Sequence, residues 1–180
     1  MKSFFGKFST AVCVLIIAAM LAVPLIGGAR LAIDCRRIER DFNHFAAETD
    51  KHGNNFASDA VVFIANAKSL GDEAVRIAGS ESSAVRELFN DIAEYESCGS
   101  AFEEFDCYQR ILADSKRVYS AVRADSITQS LTTAMDGIES ADARISRTYG
   151  AKYSECAKAR ADLLSGGLPA ALAKLYGIEE

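Results

Sequence analysis

The chain has 180 residues, 49% of them hydrophobic, with 20 Lys+Arg against 25 Asp+Glu, a formal charge of −5. An apolar fraction of that size excludes a disordered chain. Lys2 and Lys7 are the only charges before Arg30, so the remaining 18 basic residues face all 25 acids, a net of −7. That balance excludes a phosphate-tracking nucleic-acid binder, because phosphate contacts need a basic face.

Residues 1–29 form the first predicted element. From Phe8 to Ala29 there are 22 residues without a charge. As a helix they would span about 33 Å, enough to cross a bilayer core. Pro24 lies inside the run, which membrane helices tolerate. The expectation is a transmembrane anchor over 1–29, with the bilayer as partner. A cleaved signal peptide is the alternative, with Gly27 and Ala29 as the small residues before the cut. The anchor is favoured because the pattern continues without a break: Leu31, Cys35, Ile38, Phe42 and Phe45 make a 4-3-4-3 stripe leading from membrane to soluble part.

Residues 30–180 then read as one helical domain. Thr49 to Asn55 are turn formers that close the first stripe. The second stripe is Phe56, Ala60, Phe63, Ala67, Leu70, Ala74 and Ile77. Gly79 stands where a helix-ending glycine belongs, and Ser80, Ser82 and Ser83 offer caps for the next helix. A third stripe runs Val85, Leu88, Ile92 and Tyr95, resumes after Gly99 as Phe102, Phe105, Tyr108 and Leu112, and continues through Val118 or Tyr119 to Val122. It predicts one long helix with a kink or short break at Ser97–Ser100, ended by Ala124-Asp125-Ser126. Ser126 and Gln129 make an S-x-x-Q capping box for a fourth helix. Its stripe is Ile127, Leu131, Ala134, Ile138, Ala141, Ile145, Tyr149, Tyr153 and Cys156. Gly166-Gly167 and Pro169 stop it, and Ala170–Tyr176 makes a short terminal helix before Gly177. Four amphipathic helices on short connections predict an all-α fold, an extended antiparallel four-helix bundle behind a transmembrane helix.

No arrangement of side chains predicts catalysis, a metal or a cofactor. His44 and His52 are the only histidines, and a turn separates them, so they do not share a helix face. Glu103, Glu104 and Asp106 read as a solvated acidic face, since no histidine follows any glutamate by three as di-iron bundles need. Nucleophiles lack a base within reach. Gly27-Gly28 and Gly166-Gly167 have no strand–loop–helix context for a phosphate. The cysteines, Cys13, Cys35, Cys98, Cys107 and Cys156, are odd in number and lack a C-x-x-C pair, so they read as small core hydrophobes. Tyr149 and Tyr153, beside Arg147, read as core, with a partner-facing patch as the alternative.

The C-terminal third resembles the LemA family of bacterial membrane proteins. Glu139 stands ten residues before Tyr149, Pro169 follows the helix, and Ala173-Lys174-Leu175-Tyr176-Gly177-Ile178 is similar to the family's terminal signature. The chain departs from the pattern in three places: no proline lies in Asn55–Val61, Gly150 replaces an asparagine, and the interval from Tyr149 to Pro169 is longer. The resemblance implies a membrane-anchored antiparallel bundle and brings no catalytic residues. The expected function is therefore a non-enzymatic scaffold or interaction protein, acting through protein partners or self-association. A helical domain released outside the cytoplasm by signal cleavage, and a ligand-sensing bundle, are the alternatives. Arg30, Arg36, Arg37 and Arg40 after the anchor outnumber Lys2 and Lys7 before it, which predicts a domain facing the cytoplasm. Unpaired thiols favour the same side.

Overall fold

The computed structural model of the chain describes residues 2–78, 82–122, 126–165 and 167–178, with side chains described except at 2–21, 23–25, 78, 168 and 176. Among these residues the secondary structure is helical: α1 (Lys2–Ala47), α2 (Phe56–Ala78), α3 (Ser83–Ser97), α4 (Ala101–Ala121), α5 (Gln129–Leu164) and α6 (Gly167–Tyr176). Two compact units are formed, one from Met1–Ile38 with Ala157–Glu180, the other from Glu39–Cys156.

The all-helical expectation holds; the transmembrane part of it does not gain support. Among the described residues, no helix is long and apolar enough to cross a membrane. Most of the run 8–29 lies outside the residues whose side chains are described. Its backbone belongs to α1, which is one helix of 46 residues.

In the unit Glu39–Cys156, pair registers give the directions of the helices. Arg110 of α4 pairs with Glu94 and Asp91 of α3, while Arg117 pairs with Glu87, so the partner number falls as the other rises and α3 and α4 are antiparallel. The same reasoning applies to α2 and α5, where Asp59 meets Arg144, Asn66 meets Gly137 and Glu73 meets Thr128. On α4 and α5, Asp106 meets Tyr153 and Tyr108 meets Asp142. The unit is therefore an antiparallel array of α2, α3, α4 and α5, with the last turns of α1 packed against it through Phe42.

This corrects the expected third helix. The short break expected there is present, with α3 ending at Ser97 and α4 starting at Ala101, but the chain reverses at it, so the stripe is two helices and not one. Cys98 is extended at φ −60°, ψ 140°, and ends α3. Ser100 is extended at φ −148°, ψ 152°, and its Oγ accepts from Glu103 N at 3.3 Å, while Glu103 Oε2 accepts from Gly99 N at 2.9 Å. That is a capping box shifted by one donor, an S-x-x-E signal that starts a new helix. At the start of α5, where a box was expected at Ser126 and Gln129, Thr128 Oγ1 accepts from Leu131 N at 3.2 Å. Another reciprocal pair opens α2, where Asn55 Oδ1 accepts from Ser58 N at 3.0 Å and Ser58 Oγ from Asn55 N at 2.9 Å. Gly79, Ser80, Ala124 and Asp125 lie outside the described residues, and Ser82 caps α3 without a side-chain bond.

The stripes are core with local corrections. Phe56, Ala60, Phe63, Ala67, Leu70 and Ala74 are buried on α2, and Leu131, Ala134, Ile138, Ala141, Ile145, Tyr149, Tyr153 and Cys156 on α5. On α4 the buried positions are Ile111 and Val118, where Leu112 was expected and Tyr119 was an alternative; Cys107, Asp114 and Ser115 are buried beside them. Ile127 lies before α5 and is exposed. An aromatic cluster closes one end. Phe42, at 0% exposure, meets Phe102, Phe105 and Tyr153 edge-on at 5.8, 5.6 and 5.6 Å, and Phe105 stacks on Tyr153 at 4.3 Å. Such pairs add roughly 0.5–1.5 kcal/mol each beyond area burial.

In the other unit, Leu31, Cys35, Leu164, Leu172 and Ala173 form a small core with Leu163 and Ile178 against it. Gly167, expected as a stop, is the first residue of α6, and Pro169 sits in its first turn, where a missing N–H costs nothing. Gly177 at φ 63° ends α6, and Ile178 N donates to Ala173 O at 2.9 Å. That 6→1 bond is a Schellman motif, and it requires a residue at ease with positive φ.

Candidate functional site

The residues singled out from sequence do not come together as one site. His44 is exposed, its Nδ1 3.4 Å from Glu48 Oε1; His52 is exposed, and its backbone N donates to Asp50 Oδ1 at 2.7 Å. Among the described residues, no group of three or more His, Cys, Asp or Glu is placed to hold a metal.

The three acids of α4 are not one solvated face. Glu103 caps the helix, as above. Glu104 is half-buried against Tyr95; burial raises its carboxyl above the ordinary range, and the bond with Tyr95 opposes this. Burial likewise raises Tyr95, with the Glu104 charge adding to it. Asp106 accepts from Tyr153 Oη at 3.1 Å. Each acid serves a different neighbour. Tyr149 and Tyr153 are buried and belong to the aromatic cluster, with Phe56 5.5 Å from Tyr149; Arg147 is exposed.

Sequence reasoning missed the polar contacts between helices. Tyr108, 1% exposed, bonds Asp142, and Ser146 Oγ donates to the same carboxylate at 2.8 Å. Burial first, then the Asp142 bond, raises the Tyr108 hydroxyl. Asp114 is buried on the α3–α4 face, with Arg117 Nη1 at 3.1 Å. Burial raises its carboxyl, Arg117 opposes, and Asp91 and Glu87 add to the rise. Ser115 Oγ, fully buried, has no hydrogen-bond partner among the described residues. Polar residues on a heptad stripe are the signal that could have found Asp114 and Ser115, since they fall between Ile111 and Val118 in phase.

Two thiols, a guanidinium and a carboxylate meet at the reversal between α3 and α4. Cys98 Sγ and Cys107 Sγ are 3.3 Å apart. Arg110 Nη2 donates to Cys107 Sγ at 3.1 Å and to Glu94 Oε1 at 2.6 Å, while Nη1 reaches Glu94 Oε2 at 2.9 Å. Cys98 Sγ also approaches Glu94 O at 3.4 Å. Burial pushes the Cys98 thiol up to about 12, reinforced by the Cys107 bond and by Glu103 and Glu104. The guanidinium thus serves both helices: it ties α3 to α4 through Glu94 and presents positive charge to one sulfur of the pair.

No protein-family model, curated protein or solved structure matches the chain.

Proposed function

We propose that the chain is a membrane-anchored, non-enzymatic helical scaffold of LemA type, fixed in the bilayer by residues 1–29 and presenting its helices in the cytoplasm to protein partners or to further copies of itself. The observation that carries this reading is α1. One helix extends from Lys2 to Ala47, and its sequence holds 22 consecutive uncharged residues from Phe8 to Ala29. A helix of that composition is favourable in a bilayer and costly in water.

The interior supports a structural role. Several polar side chains pair across helices: Tyr108 with Asp142 and Ser146, Tyr153 with Asp106, and Asp59 with Arg144. Such contacts fix register between helices. The residues of the LemA resemblance have structural places as well. Tyr149 is buried and Glu139 exposed on α5, and Gly177 turns the end of α6.

The test is fractionation of cells making the full chain or a chain lacking residues 1–29. The full chain should stay with membranes after alkaline washing, and the shortened chain should be soluble and helical by circular dichroism. In-membrane cross-linking should then yield discrete adducts that depend on residues 1–29. Equal partition of the two chains into the soluble pool would overturn the proposal.

A further inference from the structure

Four of the cysteines have described side chains, and Cys35, Cys107 and Cys156 are buried while Cys98 is partly exposed. A short reversal and the first turns of α4 separate Cys98 from Cys107, and their sulfurs lie 3.3 Å apart. A disulfide is about 2.05 Å long, so closure needs a shift of roughly 1.3 Å. The backbone can supply that shift, because Cys98 is extended outside α3 and Gly99, which follows it, is exposed. The eight residues between the thiols, Gly99–Asp106, keep each at high effective concentration toward the other. Arg110 Nη2, at 3.1 Å from Cys107 Sγ, sets a positive charge beside that sulfur.

We propose that Cys98 and Cys107 form an oxidant-responsive modification site, in which hydrogen peroxide converts the two thiols into an intrachain disulfide that staples α3 to α4. Cys107 Sγ attacks one peroxide oxygen, the O–O bond breaks, and the departing hydroxide takes the proton given up by that thiol to leave as water. The product is a sulfenic acid on Cys107. Cys98 Sγ, giving up its proton, attacks Cys107 Sγ; the S–O bond breaks and a second water leaves. Two thiols are oxidised and one peroxide is reduced, with no further reagent. Burial and the carboxylates of Glu103 and Glu104 resist loss of the Cys98 proton, so the second step is the slow one. Once closed, the staple fixes the reversal whose angle otherwise rests on the Ser100–Glu103 box and the Arg110–Glu94 bonds.

Mass spectrometry of the oxidised full chain provides the test. Trypsin leaves both thiols on one peptide, 87–110, since no Lys or Arg lies between Arg86 and Arg110. After peroxide treatment in native buffer and alkylation under denaturing conditions, this peptide should carry no alkyl group and be lighter by about 2 Da than the dithiol. Dithiothreitol should restore two alkylations. Cys98→Ser should stop at a sulfenic acid on Cys107 that dimedone traps, and Arg110→Gln should slow disulfide formation several-fold while circular dichroism stays unchanged. Oxidation should be faster in native buffer than in urea. A peptide that remains doubly alkylated, independent oxygen adducts on the two sulfurs, or equal rates in native buffer and urea would each overturn the proposal.

Discussion

Gly137 on α5 faces the side chain of Asn66 on α2 so closely that a Cβ at 137 would lie 2.6 Å from Asn66 Oδ1 and 2.7 Å from its Cγ. Asn66 Nδ2 donates to Val62 O at 2.8 Å, so the amide is held in place by its own helix. Gly137→Ala should gain about 1 kcal/mol of helix propensity and lose about 1–3 kcal/mol to overpacking, a net destabilisation. Adding Asn66→Ala should bring stability back above that of Gly137→Ala alone. Urea unfolding of the three variants checks the pair; a stabilised Gly137→Ala single variant would show that the helices approach differently.

Phe63 and Ile138 are fully buried, whereas Ile127 is 37% exposed. An aspartate at either buried position strands a charge among apolar side chains. Phe63→Asp and Ile138→Asp should each cost several kcal/mol, and Ile127→Asp about 0.5 or less. Thermal unfolding midpoints separate the two groups.

Thr128 has two tasks: its Oγ1 caps α5 and donates to Glu73 Oε1 at 2.6 Å. Thr128→Ala should cost about 1 kcal/mol from the cap alone. The Arg76 bond first, and the Thr128 bond second, hold the Glu73 carboxyl down to about 2, from an ordinary 4.5. Because the folded value is depressed, this stabilisation is fully present above 4.5 and is lost as pH falls from there toward 2. The stability gap between the wild type and Glu73→Gln should therefore be constant at neutral pH and shrink through that window. A gap independent of pH would place the carboxylate outside these bonds.

The proposed orientation has its own consequence. In intact cells an impermeant maleimide should leave Cys98 unlabelled, and permeabilisation under reducing conditions should expose it. Cys107, at 3% exposure, should label only on unfolding. Labelling of Cys98 before permeabilisation would place the helices on the outer side of the membrane.

The helices and most of their buried faces could be read from the sequence because the apolar period is close to 3.5, as Phe56 to Ala74 and Leu131 to Ile145 show. The reversal between α3 and α4 could not be read from period alone. Tyr95 and Phe102 are a heptad apart, so the stripe keeps its phase across the break and imitates one helix. The contrary signal was Ser100 with Glu103, whose glutamate was read as surface charge. The error also hid the cysteine pair: on one continuous helix, residues nine apart lie on roughly opposite faces, and only the hairpin brings Cys98 and Cys107 together. The contacts of Asp106 and Asp142 escaped because hydrogen bonds between helices leave no local pattern.

The most direct measurement is the intact mass of the chain recovered from alkali-washed membranes of its native host. The membrane-anchored scaffold predicts a species in the membrane pellet that still carries residues 1–29. A soluble species whose mass places the mature N-terminus near Arg30 would contradict it and assign those residues to a cleaved leader.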